Sequence, residues 1–224
     1  MREYLTKTPI PLHSILESEF VWVEFFENIP RYAFATLGTY SRAYKSPNYP
    51  TFGNYCCHFE FISPGAAVDD YCYFGRQLFI KKSPKMSLST YFQFGSGAQS
   101  SAVEIKFFLP YFSRNKYYGF GAYINPSTKK VYVRVPGPDW TEIATLTDLL
   151  YSVYYQFEIT FNLLTEKYDK IIVGDREIDA SAYGPYIDPT FHNYSAIQLF
   201  LRAKEINCKE SAQFGHILVR SLFG

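Results

Sequence analysis

The segment Val153 to Asp179, VYYQFEITFNLLTEKYDKIIVGDREID, decides the fold. Along Val153, Tyr155, Phe157, Ile159 and Phe161 every second residue is apolar, and Tyr154, Gln156, Glu158, Thr160 and Asn162 alternate with them. That is the period of a strand buried on one face; a helix would scatter the two sets. After Leu163 to Lys167 the chain resumes with Tyr168, Lys170, Ile171, Ile172 and Val173. Gly174-Asp175 then supplies a two-residue turn in which glycine takes the positive φ that hairpins need, and Arg176 to Asp179 returns beside it. Three consecutive antiparallel strands are predicted.

Working outward, Glu19 to Glu27 is the first clear strand and Arg31 to Gly38 the second, preceded by an arm, residues 1 to 18, that contains Pro9 and Pro11. Thr39 to Gly53 reads as loop, with Tyr40, Tyr44 and Tyr49 as candidate exposed rings. Asn54 to Ile62 and Val68 to Ile80 flank Ser63-Pro64-Gly65 and are predicted to form a hairpin. Met86 to Phe94, Ala102 to Leu109, Tyr117 to Ile124 and Lys130 to Val135 follow at short spacing. Gly137 to Asp148 reads as loop carrying Trp140, Leu146 to Tyr151 as a helical turn, and Ala180 to Tyr194 as a second loop. Ile197 to Ala203 and Gln213 to Leu222 complete the set. Many short strands in one chain of 224 residues argue an all-β sandwich in a single domain over residues 19 to 224.

A strand of alternating aromatics, a short charged loop and a hairpin on Gly-Asp resemble the late strands of laminin G-like and other concanavalin A-like lectin/glucanase domains. The closing QFGHILVRSL, Gln213 to Leu222, is similar to the final strand of that superfamily, which returns to pair near the first. The resemblance implies a jelly roll of two antiparallel sheets. In glycoside-cleaving members, one sheet face carries a pair of carboxylates acting as acid and as base or nucleophile. His58 with Glu60, Glu104 with Lys106, and Gln156 with Glu158 each share a face of their strand, so Glu60, Glu104 and Glu158 are the weak catalytic candidates. Glu177-Ile178-Asp179 resembles a laminarinase phrase, but Ala180, Ser181 and Ala182 follow where a second carboxylate belongs, and the match is rejected. Tyr117 to Tyr123, YYGFGAY, is similar to one of three alginate-lyase motifs; without the other two it reads as a strand whose glycines admit a neighbour's rings.

Composition bounds the rest. Tyr, Phe and Trp make 20% of the chain, which suits a β-protein that packs with rings and also supplies stacking platforms for sugars. A net charge of +1, with basic and acidic residues mixed, argues against nucleic acid as a partner. No apolar run is long enough for membrane insertion, and the first twenty residues lack the apolar core of a secretory leader. That leaves an intracellular protein, or one used outside the cell, at a cell surface or in a virion, whose leader lies outside this sequence. Cys56, Cys57, Cys72 and Cys208 lack metal-site spacing; the predicted hairpin would set Cys57 opposite Cys72, a disulfide that would imply an oxidising compartment or a thermophilic source. No cofactor motif is present, and no metal is expected.

The function expected is a non-catalytic recognition domain that binds carbohydrate in lectin-like fashion. Trp140, Tyr183 and Tyr186 are the loop rings nominated for the ligand, with His58 and Gln156 on the polar sheet face. The alternatives are a structural or interaction protein of a cell surface or virion, with a protein partner or self-association in place of glycan, and a glycoside hydrolase or polysaccharide lyase.

Overall fold

Period-two alternation runs through most of the chain, and the computed structural model resolves it into sixteen strands. It describes residues 18–27, 33–47, 54–62, 67–80, 83–95, 101–111, 115–137, 140–204 and 210–222. The strands are β1 Ser18–Glu24, β2 Phe34–Leu37, β3 Ser41–Ser46, β4 Cys56–Phe61, β5 Tyr71–Leu78, β6 Lys85–Phe94, β7 Ser101–Tyr111 and β8 Lys116–Asn125. They continue as β9 Lys130–Arg134, β10 Trp140–Thr145, β11 Tyr155–Asn162, β12 Lys167–Val173, β13 Arg176–Asp179, β14 Tyr186–Asp188, β15 Ser195–Ala203 and β16 Ser211–Leu222. No α-helix occurs among the described residues.

Two eight-stranded antiparallel sheets result. Sheet A runs β13-β12-β11-β6-β16-β4-β3, with β1 also on β16; sheet B runs β10-β9-β8-β7-β15-β5-β2, with β14 also on β8. The fold is thus the antiparallel jelly-roll sandwich that the strand pattern predicts, and β16 does return to pair β1.

Inward residues of both sheets fill the space between them, and rings dominate. Phe120 of β8 stacks on Phe161 of β11 at 4.2 Å between centroids, and Phe107 of β7 meets the same ring edge-on at 5.7 Å. Phe59 and Phe214 form another such pair at 5.3 Å. Each aromatic pair adds about 0.5–1.5 kcal/mol beyond the area it buries.

Local chemistry sets the strand ends. Gly174 takes φ 62° in the β12–β13 turn, as the hairpin requires. The register of β16 against β6 slips between Phe214 and Ile217. This bulge reverses which residues face inward, so Ala212 and Phe214 before it and Ile217 and Val219 after it all enter the core. It also marks where β16 changes partner, from β4 over Ser211–Phe214 to β1 beyond.

Several expectations are corrected. β4 and β5 do not form a hairpin: β4 joins sheet A and β5 joins sheet B. Cys57 and Cys72 are therefore not cross-strand partners and form no disulfide with each other; both are buried, as is Cys56, and Cys208 lies outside the described residues. The segment expected as loop from Thr39 contains β3, whose Tyr44 stacks on His58 at 5.0 Å; Tyr49 lies outside the described residues. Trp140 begins an edge strand, β10, because it pairs with Arg134 of β9. Leu146 to Tyr151 makes no helical turn: Leu146 and Leu149 anchor in the core, and the Tyr155 hydroxyl accepts the Leu150 N–H and donates to the Asp148 carbonyl. The second loop contains β14.

Candidate functional site

The outer face of sheet B carries the densest set of rings outside the core. Strand pairing lines them up: Tyr73 of β5 is opposite Phe200 of β15, Phe200 opposite Glu104 of β7, Glu104 opposite Tyr123 of β8, and Tyr123 opposite Tyr132 of β9. Tyr123 and Tyr132 stack at 4.4 Å, and Trp140 meets Tyr123 edge-on at 4.8 Å.

Glycines seat these rings. A Cβ on Gly75 would overlap the hydroxyl end of Tyr73; one on Gly121 would press on the Lys106 stem at 3.2 Å and the Trp140 ring at 3.4 Å. At Gly119 the nearest atoms belong to the Phe108 and Tyr186 rings. Tyr73, Trp140 and Tyr186 are therefore laid along the outer face, each over a position that has no side chain of its own.

Charge is concentrated beneath this pavement. Glu104 is 1% exposed. Lys106 Nζ lies 2.8 Å from one of its oxygens, Arg202 Nε 2.9 Å and Lys204 Nζ 4.0 Å from the other. Burial opposes ionisation of Glu104, but the Lys106, Arg202 and Lys204 charges hold its carboxyl below the usual range. Burial also draws the Lys106 ammonium down, and Glu104 offsets part of that. Lys106 sits 4.3 Å from the Phe200 centroid, and the Arg134 guanidinium 3.8 Å from that of Tyr186.

At the β5 edge of this face the rings border a groove of about 740 Å³, lined by Trp22, Tyr73, Arg76, Gln77, Phe79, Tyr194 and Gln198 among others. It opens there because β2 pairs only Tyr71 to Phe74 of β5. Phe79, 84% exposed, stands at its rim.

The outer face of sheet A is polar and largely covered. Arg220 is hydrogen-bonded to buried Glu158, and Gln156 Nε2 donates to Glu158 at 2.7 Å. Elsewhere on that face Gln213 accepts from Gln93 at 2.5 Å and from Tyr154 at 3.2 Å and lies 3.1 Å from His58 Nδ1, while His58 faces Glu60 at 3.7 Å. Burial lowers the His58 pKa, partly offset by Glu60.

The nominated residues thus separate. Trp140 and Tyr186 lie on the outer face of sheet B, His58 and Gln156 on that of sheet A. Tyr183 packs against the core, its carbonyl accepting the Tyr168 N–H. Among the carboxylates, Glu104 faces outward from sheet B while Glu60 and Glu158 face outward from sheet A, so the three share no groove. Polar residues do not gather on one sheet face, because β7 and β11 belong to different sheets. Tyr73, Tyr123, Tyr132, Phe200, Phe79 and Gly75 were not singled out from the sequence; their signal was period-two placement opposite the core residues Phe74, Ile105 and Leu199.

No protein-family model and no curated protein matches the sequence. Solved structures do. The chain superposes on the T. cruzi calreticulin globular domain with TM-score 0.57 at 9% identity, over 90% of this chain and 88% of that one. The Bacillus licheniformis β-glucanase gives TM-score 0.52 at 10% identity, over 90% and 98%. The chain has the concanavalin A-like fold. Another concanavalin A-like neighbour is the Emp47p carbohydrate recognition domain, with TM-score 0.50 at 10% identity over 93% and 98%. A sialidase matches 84% of this chain, which spans only 18% of that protein, with TM-score 0.45.

Proposed function

We propose that this concanavalin A-like domain, spanning residues 19 to 224, is a non-catalytic carbohydrate-recognition module whose ligand lies across the outer face of sheet B. The observation that carries the reading is the row of outward rings Tyr73, Phe200, Tyr123 and Tyr132, with Trp140 over Gly121 beside it, ending at the groove beside Phe79. Flat aromatic faces cover the apolar face of a pyranose, and the Gln77 and Gln198 amides at the groove supply hydrogen bonds to hydroxyls. Trp140 and Tyr186 belong to this platform; the polar network around His58 and Gln156 on sheet A is committed to internal hydrogen bonds. A glycosidase or lyase has less support, since each carboxylate candidate is engaged by a cation and none faces another across a cleft. The β-glucanase and the carbohydrate recognition domain among the structural neighbours agree with a saccharide ligand without specifying one.

Trp22 and Trp140 are the only tryptophans of the chain, and one lines the groove while the other lies on the platform. Intrinsic fluorescence therefore reports directly on the site. Titration with a panel of neutral and acidic oligosaccharides is expected to change it, with Trp140→Ala weakening binding about tenfold, the size expected for one lost aromatic contact. An unchanged spectrum across the panel would overturn the reading.

A further inference from the structure

We infer that the glycan taken at the β5 edge carries a negatively charged oxyanion, a carboxylate or a sulfate, recognised by Arg76. This rests on the carbohydrate reading above and specifies the class of sugar. Arg76 is the one charged side chain among the described residues lining the groove; its companions are the rings of Trp22, Tyr73, Phe79 and Tyr194 and the amides of Gln77 and Gln198.

Among the described residues, the other strong cations of this face are engaged. Lys106 and Arg202 hold Glu104, Lys130 pairs with Glu142 at 2.7 Å, and Arg134 lies on the Tyr186 ring. Arg76 has no carboxylate within ion-pair distance and no hydrogen bond among the described residues, although it is partly buried. A guanidinium held among rings and amides in a concave site is a fork without its acceptor. Its planar donors match a carboxylate or sulfate in two parallel hydrogen bonds.

Placement supports the same ligand. Arg76 alternates with Tyr73, Gly75 and Gln77 along β5 and is level with Ile197, so it borders the groove from the inward side of the strand, across the open β5 edge from the Tyr73 ring and the Gln77 and Gln198 amides. A neutral glycan would meet the rings and amides and leave the guanidinium without a partner.

The test measures binding of the full chain by calorimetry to three probes of matched length: an oligogalacturonate, its carboxyl-reduced neutral counterpart, and a sulfated galactan oligomer. At least one acidic probe is expected to bind ten- to a hundredfold tighter than the neutral one, the factor for a charge-assisted hydrogen bond. Which acidic probe leads distinguishes carboxylate from sulfate. Arg76→Gln should remove the preference while leaving neutral binding unchanged, and thermal melts of the variant check that it is folded. Gln77→Glu, which sets a like charge against the ligand, should depress acidic binding by a larger factor than neutral binding and serves if Arg76→Gln is unstable. Equal affinity for acidic and neutral probes, or a preference that survives Arg76→Gln, overturns the inference and leaves the carbohydrate reading standing. Absence of binding to all three probes and to the wider panel overturns both.

Discussion

Removing one oxygen atom, in Tyr168→Phe, tests how the platform is held in place. β8 is shared along one edge: β14 pairs with Tyr117 to Gly119 and β9 with Ala122 to Asn125, and Gly121 falls in the gap. The Tyr168 hydroxyl, reaching across the core from sheet A, fills it. It accepts the Gly121 N–H at 2.8 Å and donates to the Arg134 carbonyl at 2.7 Å, and the residue is 1% exposed. Phenylalanine keeps the ring's packing against Phe120 and leaves one buried donor and one buried acceptor without partners. Each such group costs about 1–2 kcal/mol here, toward the lower part of the range for a buried polar group left unsatisfied, giving about 2–4 kcal/mol in total. For a domain of this size that lowers Tm by about 4–16 °C. Urea unfolding followed by fluorescence should show the midpoint falling with an unchanged slope. Trp140 pairs with Arg134, so glycan affinity should fall with it. A loss below about 0.5 kcal/mol, the range of an inconsequential surface change, would refute the claim that this hydroxyl completes the sheet.

Two further outcomes follow from the outer face of sheet A. Glu158→Ala strands the Arg220 charge inside the protein and should cost about 3–5 kcal/mol in chemical denaturation, whereas replacing both residues with apolar ones should recover most of the loss; equal destabilisation by the single and double variants would count against the pair. Burial against the Phe25 and Tyr91 rings lowers the His216 pKa to about 4, so protonation favours the unfolded chain, where the group titrates near 6.5. The stability due to neutral His216 is complete above about pH 6.5 and declines as pH falls toward 4, by roughly 3 kcal/mol in all. Stability measured from pH 7 to 4 should therefore fall more steeply for the native chain than for His216→Gln, and parallel curves would show that the group does not titrate as burial dictates.

Val153 to Asp179 was legible because each of its signals is local. Alternation names the inward residues of β11, and the turn glycine sits between strands that pair with each other. The predicted hairpin of β4 and β5 failed because Ser63-Pro64-Gly65 marks a change of direction and is silent on whether the returning strand joins the same sheet or the facing one. The same silence hid the site. Tyr73, Glu104 and Tyr123 each read as ordinary outward residues, and only the order β5-β15-β7-β8 sets them in one row. The glycines of Tyr117 to Tyr123 did point to close-lying rings, but the residues that fill those places come from the preceding strand β7 and from β10 and β14, and alternation does not name which. The β16 bulge reverses the facing of its strand at Gly215-His216, a break that alternation alone does not place.

Within the proposed carbohydrate reading, the distribution of these three acids favours holding a glycan over cleaving one. Hydrolysis by paired carboxylates requires the two groups about 5–10 Å apart on either side of the bond that breaks. Glu104 lies on the opposite side of the core from the other two. Glu158 is level with Leu218 of β16, through Ser89, and Glu60 with Ser211 of the same strand. Three strand spacings of about 4.8 Å and some seven residues at about 3.3 Å each place them more than about 20 Å apart. Each also has a cation: Arg202 and Lys106 at Glu104, Arg220 at Glu158, Arg42 at Glu60. An acid that must deliver a proton near neutral pH needs surroundings that raise its pKa, whereas the ammonium and guanidinium groups at Glu104 hold its carboxyl down. Under the aromatic row, Glu104 works as a counterion: it holds Lys106 and Arg202 against the sheet and the Phe200 ring, and in the reading proposed above it thereby keeps these cations from competing for the sugar.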